Sequence, residues 1–221
     1  MKTPTVSIAI LSCALMCCCS QLNHATAAVA GVSENGNKAA EAINSAGLKI
    51  FAEAAKEPGN LCISPFSIQS ALMMTYQGAS GETLKQMGET LNLGEPKEMA
   101  DSYGMLISEL ASAGLTENSK RNTFTVANRL FASEEFTFRP EFLLACKNQF
   151  GAPLEPTDFK KDPEAATLKI NTWVEEQTAG KISGLIPGGS LDNSTVLVLV
   201  NALYLKAMWD EEFNPAGTMD F

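Results

Sequence analysis

The sequence predicts an α+β fold built on a large mixed sheet, and three observations carry that prediction. Helical periodicity runs almost unbroken from Asn37 to Gly114. Two long strand-like runs, residues 123–133 and 195–206, follow far apart, with no consecutive hairpin partner. The second lies in "TVLVLVNALYLKAMW", Thr195 to Trp209, and is apolar from Val196 to Leu205 except at Asn201. A strand with one wet face alternates polar and apolar residues. This one does not, so both faces need cover, as in the centre of a large sheet. Helices first and unpaired strands afterwards indicate α+β. Only sixteen residues follow Leu205. That is too few to supply the missing cover, so the sequence reads as an incomplete domain.

The 221 residues suffice for one domain or a domain and a part. A net charge of −9 argues against a nucleic-acid binder, which needs a basic face. Residues 1–27 read as a secretory signal peptide: Lys2, an apolar core from Val6 to Leu15, then small residues at Ala25 and Ala27. The protein is therefore expected outside the cell. A lipid-anchor leader at Cys13 or Cys18, in "ILSC" or "LMCC", is the alternative, with a periplasmic or lipid-anchored location if the source is bacterial. Residues 28–36 read as a linker and 37–221 as the domain. No later stretch is long enough to span a membrane.

Removing the leader takes Cys13, Cys17, Cys18, Cys19 and His24 with it. A chain without His has no Ser-His-Asp or Cys-His site and no zinc cluster. No catalytic residue, metal site or cofactor is expected, and an enzyme is disfavoured. Cys62 and Cys146 lie in apolar runs and read as buried thiols, with a bridge between them left open.

Asn37 is placed to cap a helix with the stripe Ile43, Ala46, Ile50, Phe51 and Ala54, which Pro58-Gly59 stops. "NLCIS" reads as a short strand. Ser64-Pro65 opens a helix, "FSIQSALMMTY", with so little polar face that it must be buried. "ETLKQMGETLNL" and "EMADSYGMLISELASAG" are two further helices. In the first strand Phe124, Val126, Asn128 and Leu130 share a face. "RPEFLLACKNQFG" is a helix and "APLEPTDF" is extended. "PEAATLKINTWVEEQTAGKI" carries Ala166, Ile170, Trp173 and Val174 on one stripe and ends at a Gly180 cap. Asn193-Ser194-Thr195 matches the glycan acceptor pattern, meaningful in a eukaryotic source. Such a triplet also arises by chance.

Five segments, in order and at the right spacing, resemble the serpins. "NLCISPFSIQSALMM" is similar to the family's strand-to-helix signature, and "GASGETLKQM" to the segment after it. "VANRLF" resembles the second strand of the main sheet. "NTWVEEQTAGKI" resembles the helix lying across it, and "VNALYLKAMWDEEF" the third strand and the turn beyond. The likeness spans about residues 37–221 and implies the N-terminal half of a serpin domain, a fragment or truncated product. Leu205, Ala207 and Cys62 are mild departures from the family pattern.

The resemblance implies a suicide-substrate inhibitor of serine or cysteine proteases. Its reactive loop, once cleaved, inserts as a new strand into the main sheet. That loop, its hinge and the reactive bond are not in this sequence. Ser64, Ser67, Asn201 and Trp209 match the positions where the sheet opens. Each also fits a simpler role: a cap, a locally satisfied amide, or core packing for Trp209. A buried Asn201 amide without partners costs roughly 1–3 kcal/mol, so it should hydrogen-bond to the buried helix or a neighbouring strand. Asn128, Asn171 and Trp173 read as structural anchors. The helix matching Glu98 to Ala113 has no Lys or Arg, so no heparin binding is expected. A non-inhibitory serpin-fold carrier or chaperone, or a short product without stable function, are the alternatives. The last predicts aggregation, because half-covering the nine apolar residues of the strand forfeits on the order of 10 kcal/mol.

Overall fold

The computed structural model describes residues 34–113 and 123–206, together with Asn214 and Gly217. Four helices come first: α1 (Glu34–Ala54), α2 (Pro65–Gly78), α3 (Gly81–Leu91) and α4 (Pro96–Ala113). Then follow β1 (Thr123–Ser133), α5 (Pro140–Phe150), β2 (Leu154–Thr157), α6 (Pro163–Gln177) and β3 (Leu197–Lys206).

Helix α1 starts at Glu34, inside the expected linker, and buries Ala39, Ala42, Ile43 and Ala46. Phe51, expected on the buried stripe, is exposed. Where α1 passes the start of α2, a Cβ on Gly47 would lie 2.4 Å from the Pro65 Cβ, so only glycine permits the approach. Ser64 caps α2 and Pro65 occupies its first turn. The helix is buried nearly all round, from Ser67 to Tyr76.

"NLCIS" is not a strand. The segment is irregular, because no neighbouring strand among the described residues offers it hydrogen bonds. Its Cys62 is exposed, whereas Cys146 is buried, and the two are not bridged. Burial pushes the Cys146 thiol up to about 12.

The sheet order is β2-β1-β3. β1 and β2 are parallel, joined through α5 as a crossover. β1 and β3 are antiparallel over ten residue pairs, with Asn128 directly opposite Asn201. The strand expected at the sheet centre is therefore the border of these three, and its outer edge has no partner among the described residues.

Its broad faces are nevertheless covered. Leu197 and Leu199 join β1's Leu130 and Ala132 over Met73, Met74, Tyr103, Cys146 and Phe150 of the helical layer. Val198 and Val200 join Phe131 on the other face, under Ala166, Ile170 and Val174 of α6. Cover is complete from Val196 to Ala202 and thins beyond, where Leu205 is exposed. The apolar run is thus buried by helices encoded in the same chain. The ground for expecting a half-covered strand is removed over most of its length.

Candidate functional site

Of the positions expected where the sheet opens, Asn201 belongs to a buried polar chain between α2, α4 and the two long strands, while Ser64 and Ser67 form a separate pair. Ser64 and Ser67 sit at the start of α2. The Ser64 hydroxyl accepts the Ser67 N–H at 3.3 Å and donates to the Ser67 Oγ at 3.1 Å. One turn on, the Ser70 hydroxyl donates to the Phe66 carbonyl at 2.6 Å and hydrogen-bonds with the Tyr103 hydroxyl. The Tyr103 ring is stacked between Phe66 and Phe150, with centroids 5.6 and 4.7 Å away.

Burial raises the Tyr103 phenol well above its ordinary value, and hydrogen bonds with Ser70 and Asn128 pull it partly back. It stays a neutral hydroxyl throughout the physiological range. The Asn128 amide donates to the Phe150 carbonyl at 2.7 Å, and its Oδ1 accepts Asn201 Nδ2 at 2.6 Å. Asn201 Oδ1 is buried and has no partner among the described residues.

Asn201 thus bonds the neighbouring strand, one of its two expected partners. Asn128, read as an anchor, is the hub of the chain. Ser70 and Tyr103 were not singled out by sequence. Ser70 lies one helical turn from Ser67, and Tyr103 lies four residues after Met99 on the buried stripe of α4. Those spacings could have found them. Trp209 lies outside the described residues.

The other face holds the anchors on α6. The Asn171 side chain clamps the returning chain: Nδ2 donates to the Ile186 carbonyl at 2.9 Å, and Oδ1 accepts its N–H at 2.8 Å. Trp173 meets Phe131 edge-on at 5.8 Å, and the Arg129 guanidinium lies 5.1 Å from its ring centroid. Glu155 on β2 bridges Arg129 at 3.3 Å and Lys169 at 2.7 Å. The Lys169 hydrogen bond holds the Glu155 carboxyl below the usual carboxylate range.

Helix α6 ends through a reciprocal pair of bonds: Gly180 N–H to Glu175 carbonyl at 2.8 Å and Ala179 N–H to Glu176 carbonyl at 3.4 Å. The first left-handed residue is Ala179, with φ 51°, and not the expected Gly180 alone.

On the helical side of β3 lies a cleft of ≈ 660 Å³, lined by Leu197, Leu199, Phe138, Phe142 and Met87. Among the described residues no helix is long and apolar enough to cross a membrane, and no group of His, Cys, Asp or Glu is placed to hold a metal ion.

A protein-family model described as serpin (serine protease inhibitor) matches residues 41–221. Leukocyte elastase inhibitor A of Rattus norvegicus is 40% identical over 162 residues, covering 73% of this chain and 41% of that protein. Antithrombin-III of Mus musculus is 34% identical, covering 76% of this chain and 36% of its own length. The crystal structure of Manduca sexta serine protease inhibitor (serpin)-12 superposes with a TM-score of 0.70 at 36% identity, over 80% of this chain and 48% of that one. The chain thus spans less than half the length of the curated relatives it matches.

Proposed function

Because this chain belongs to the serpin family, we propose that it forms the N-terminal part of a serine protease inhibitor that acts by accepting its own cleaved loop as an added strand at β3. One observation supports the reading: β3 is buried on both faces from Val196 to Ala202 and pairs with β1 along its length, as an inner strand of a larger sheet does. A strand of that kind can take a further strand along its other edge by main-chain hydrogen bonds. Asn201 Oδ1 on that strand is buried and has no partner among the described residues, so it is an acceptor that a further donor could meet. Beneath it the chain from Asn128 to Ser70 holds β1 and β3 to the helices, so an added strand would widen the sheet without loosening its base. The role is inhibitory and not catalytic, with a protease as partner, serine-type first and cysteine-type second. The leader reading places the protein outside the cell.

The test starts from the reading frame beyond the codon for Phe221. A serpin-length product of that frame, incubated with a panel of serine and cysteine proteases, should form a covalent complex that survives boiling in detergent. Clean cleavage without a trapped complex, by every protease tried, would transfer the reading to a non-inhibitory carrier.

We also infer that α4 does not bind heparin. Its one basic residue, Lys97, is bridged to Asp101, and a polyanion needs a cluster. No salt-dependent retention on a heparin column is expected. Retention abolished by Lys97→Gln would refute this.

A further inference from the structure

Asn193, Ser194 and Thr195 form the only Asn-X-Ser/Thr triplet in the 221 residues. The fold treats its two ends differently. Asn193 is exposed, in the turn that leads into β3. Its side chain has no partner among the described residues. The turn is held by its neighbour: the Asp192 carboxylate accepts the Ser194 N–H at 2.9 Å, the Ser194 hydroxyl at 2.6 Å and the Thr195 hydroxyl at 3.4 Å. Thr195 is only 5% exposed. Its hydroxyl accepts the Asp192 N–H at 3.2 Å, and its own N–H donates to the Asp192 carbonyl at 3.1 Å.

We propose that Asn193 carries an N-linked oligosaccharide, and that the sugar is attached before this turn folds. In the transfer, Asn193 Nδ2 bonds to the anomeric carbon of a lipid-diphosphate-linked oligosaccharide. The bond from that carbon to the diphosphate oxygen breaks, and the diphosphate leaves with the electron pair. One amide proton passes to a base of the transferase. The transferase must also read the hydroxyl two residues on. In the folded turn that hydroxyl is buried and engaged with Asp192. Only the unfolded chain offers amide and hydroxyl together. Afterwards the fold accommodates the sugar, because Asn193 is exposed and the turn needs nothing from its side chain. The proposal rests on a eukaryotic source and on residues 1–27 acting as a secretory leader, which delivers the chain to the transferase.

The full chain is translated in the presence of microsomes, once with its own leader and once with that of a known secreted protein. Both forms should gain the mass of one oligosaccharide, removable by a glycan-specific amidase. Asn193→Gln should abolish the gain and Thr195→Ser should keep it. Full chain folded without microsomes, then given solubilised transferase and lipid-linked donor, should be modified at least tenfold less than a peptide spanning residues 189–198. No gain with either leader overturns the site itself. A gain with the borrowed leader alone overturns the leader and hence modification of the natural product. Equal modification of folded chain and peptide overturns the order of events.

Discussion

The two faces of the sheet are built on different principles. The face toward α1, α2, α4 and α5 combines close-packed apolar side chains with the fully buried chain of Asn201, Asn128, Tyr103 and Ser70. The face under α6 has a smaller apolar cluster, and its rim is tied by Arg129, Glu155, Lys169 and Trp173, all partly in water. Desolvated hydrogen bonds are costly to break one at a time, because each leaves an unmet buried group. Solvated ion pairs are worth little. The first face is therefore a platform, and the second a cover that can yield.

The sharpest way to break this contrast is to remove the hub of the platform. Asn128→Ala leaves Asn201 Nδ2 and the Phe150 carbonyl buried without partners. At roughly 1–3 kcal/mol for each group, stability should fall by about 2–6 kcal/mol in denaturant unfolding. A loss under about 1 kcal/mol would show that water or rearrangement satisfies these groups, and the platform would lose its distinction.

Alkali tests the same face. The folded Tyr103 phenol and Cys146 thiol are both raised by burial, the thiol to about 12. Their unfolded values are 10.0 and 9.0. Raised groups contribute stability that is fully present below the unfolded values and lost as pH climbs through the folded ones. Stability should therefore hold to about pH 9 and decline steadily between pH 9 and 12. Tyr103→Phe should cost about 1 kcal/mol at neutral pH but flatten the alkaline decline. An unchanged slope in that variant would mean that the hydroxyl is not sequestered.

Much of this arrangement was legible in the residues, and the part that was not has a common cause. The double-sided cover of β3 could be read because every residue from Val196 to Val200 must be apolar to face one cluster or the other. Which strand lies beside it could not, because side chains report which faces are buried, while edge pairing is a property of the backbone. "NLCIS" failed for the same reason, since a strand-like composition becomes a strand only beside a partner. Asn201 stood out as the lone polar residue of its run. Its pairing with Asn128, read only as an anchor, did not, because the two are 73 residues apart. Tyr103 was hidden because a tyrosine on a helical stripe looks like ordinary core until the facing hydroxyl is seen.

On the cover, changes should be small in global stability and local in effect. Arg129→Met removes the cation stacked on Trp173 and one bridge to Glu155. The loss should be about 0.5–1 kcal/mol. Amide exchange should speed up in α6 and residues 178–186 while α2 and α4 keep their protection. Equal acceleration in α2 would mean that the faces do not open separately. The Lys169–Glu155 tie should be intact at neutral pH. It should weaken as pH falls through the depressed Glu155 value, because that stability exists only while the carboxyl is charged.

The smallest expected change is a gain, at the end of that cover. Ala179 takes a left-handed conformation, with φ 51°, to close α6 and turn the chain back over the sheet. A Cβ in that region costs roughly 1–2 kcal/mol. Ala179→Gly removes the clash but adds freedom to the unfolded chain, which takes back about 0.4–1 kcal/mol. The balance is a rise of roughly 0.5 kcal/mol, read as a higher denaturant midpoint with an unchanged slope. Gly180→Ala, at φ 72° with open space around it, should move the midpoint the other way. If Ala179→Gly instead lowers the midpoint, the alanine methyl contributes more in packing than its backbone costs. The end of α6 would then be part of the fixed structure, and the moving cover would have to begin nearer Trp173.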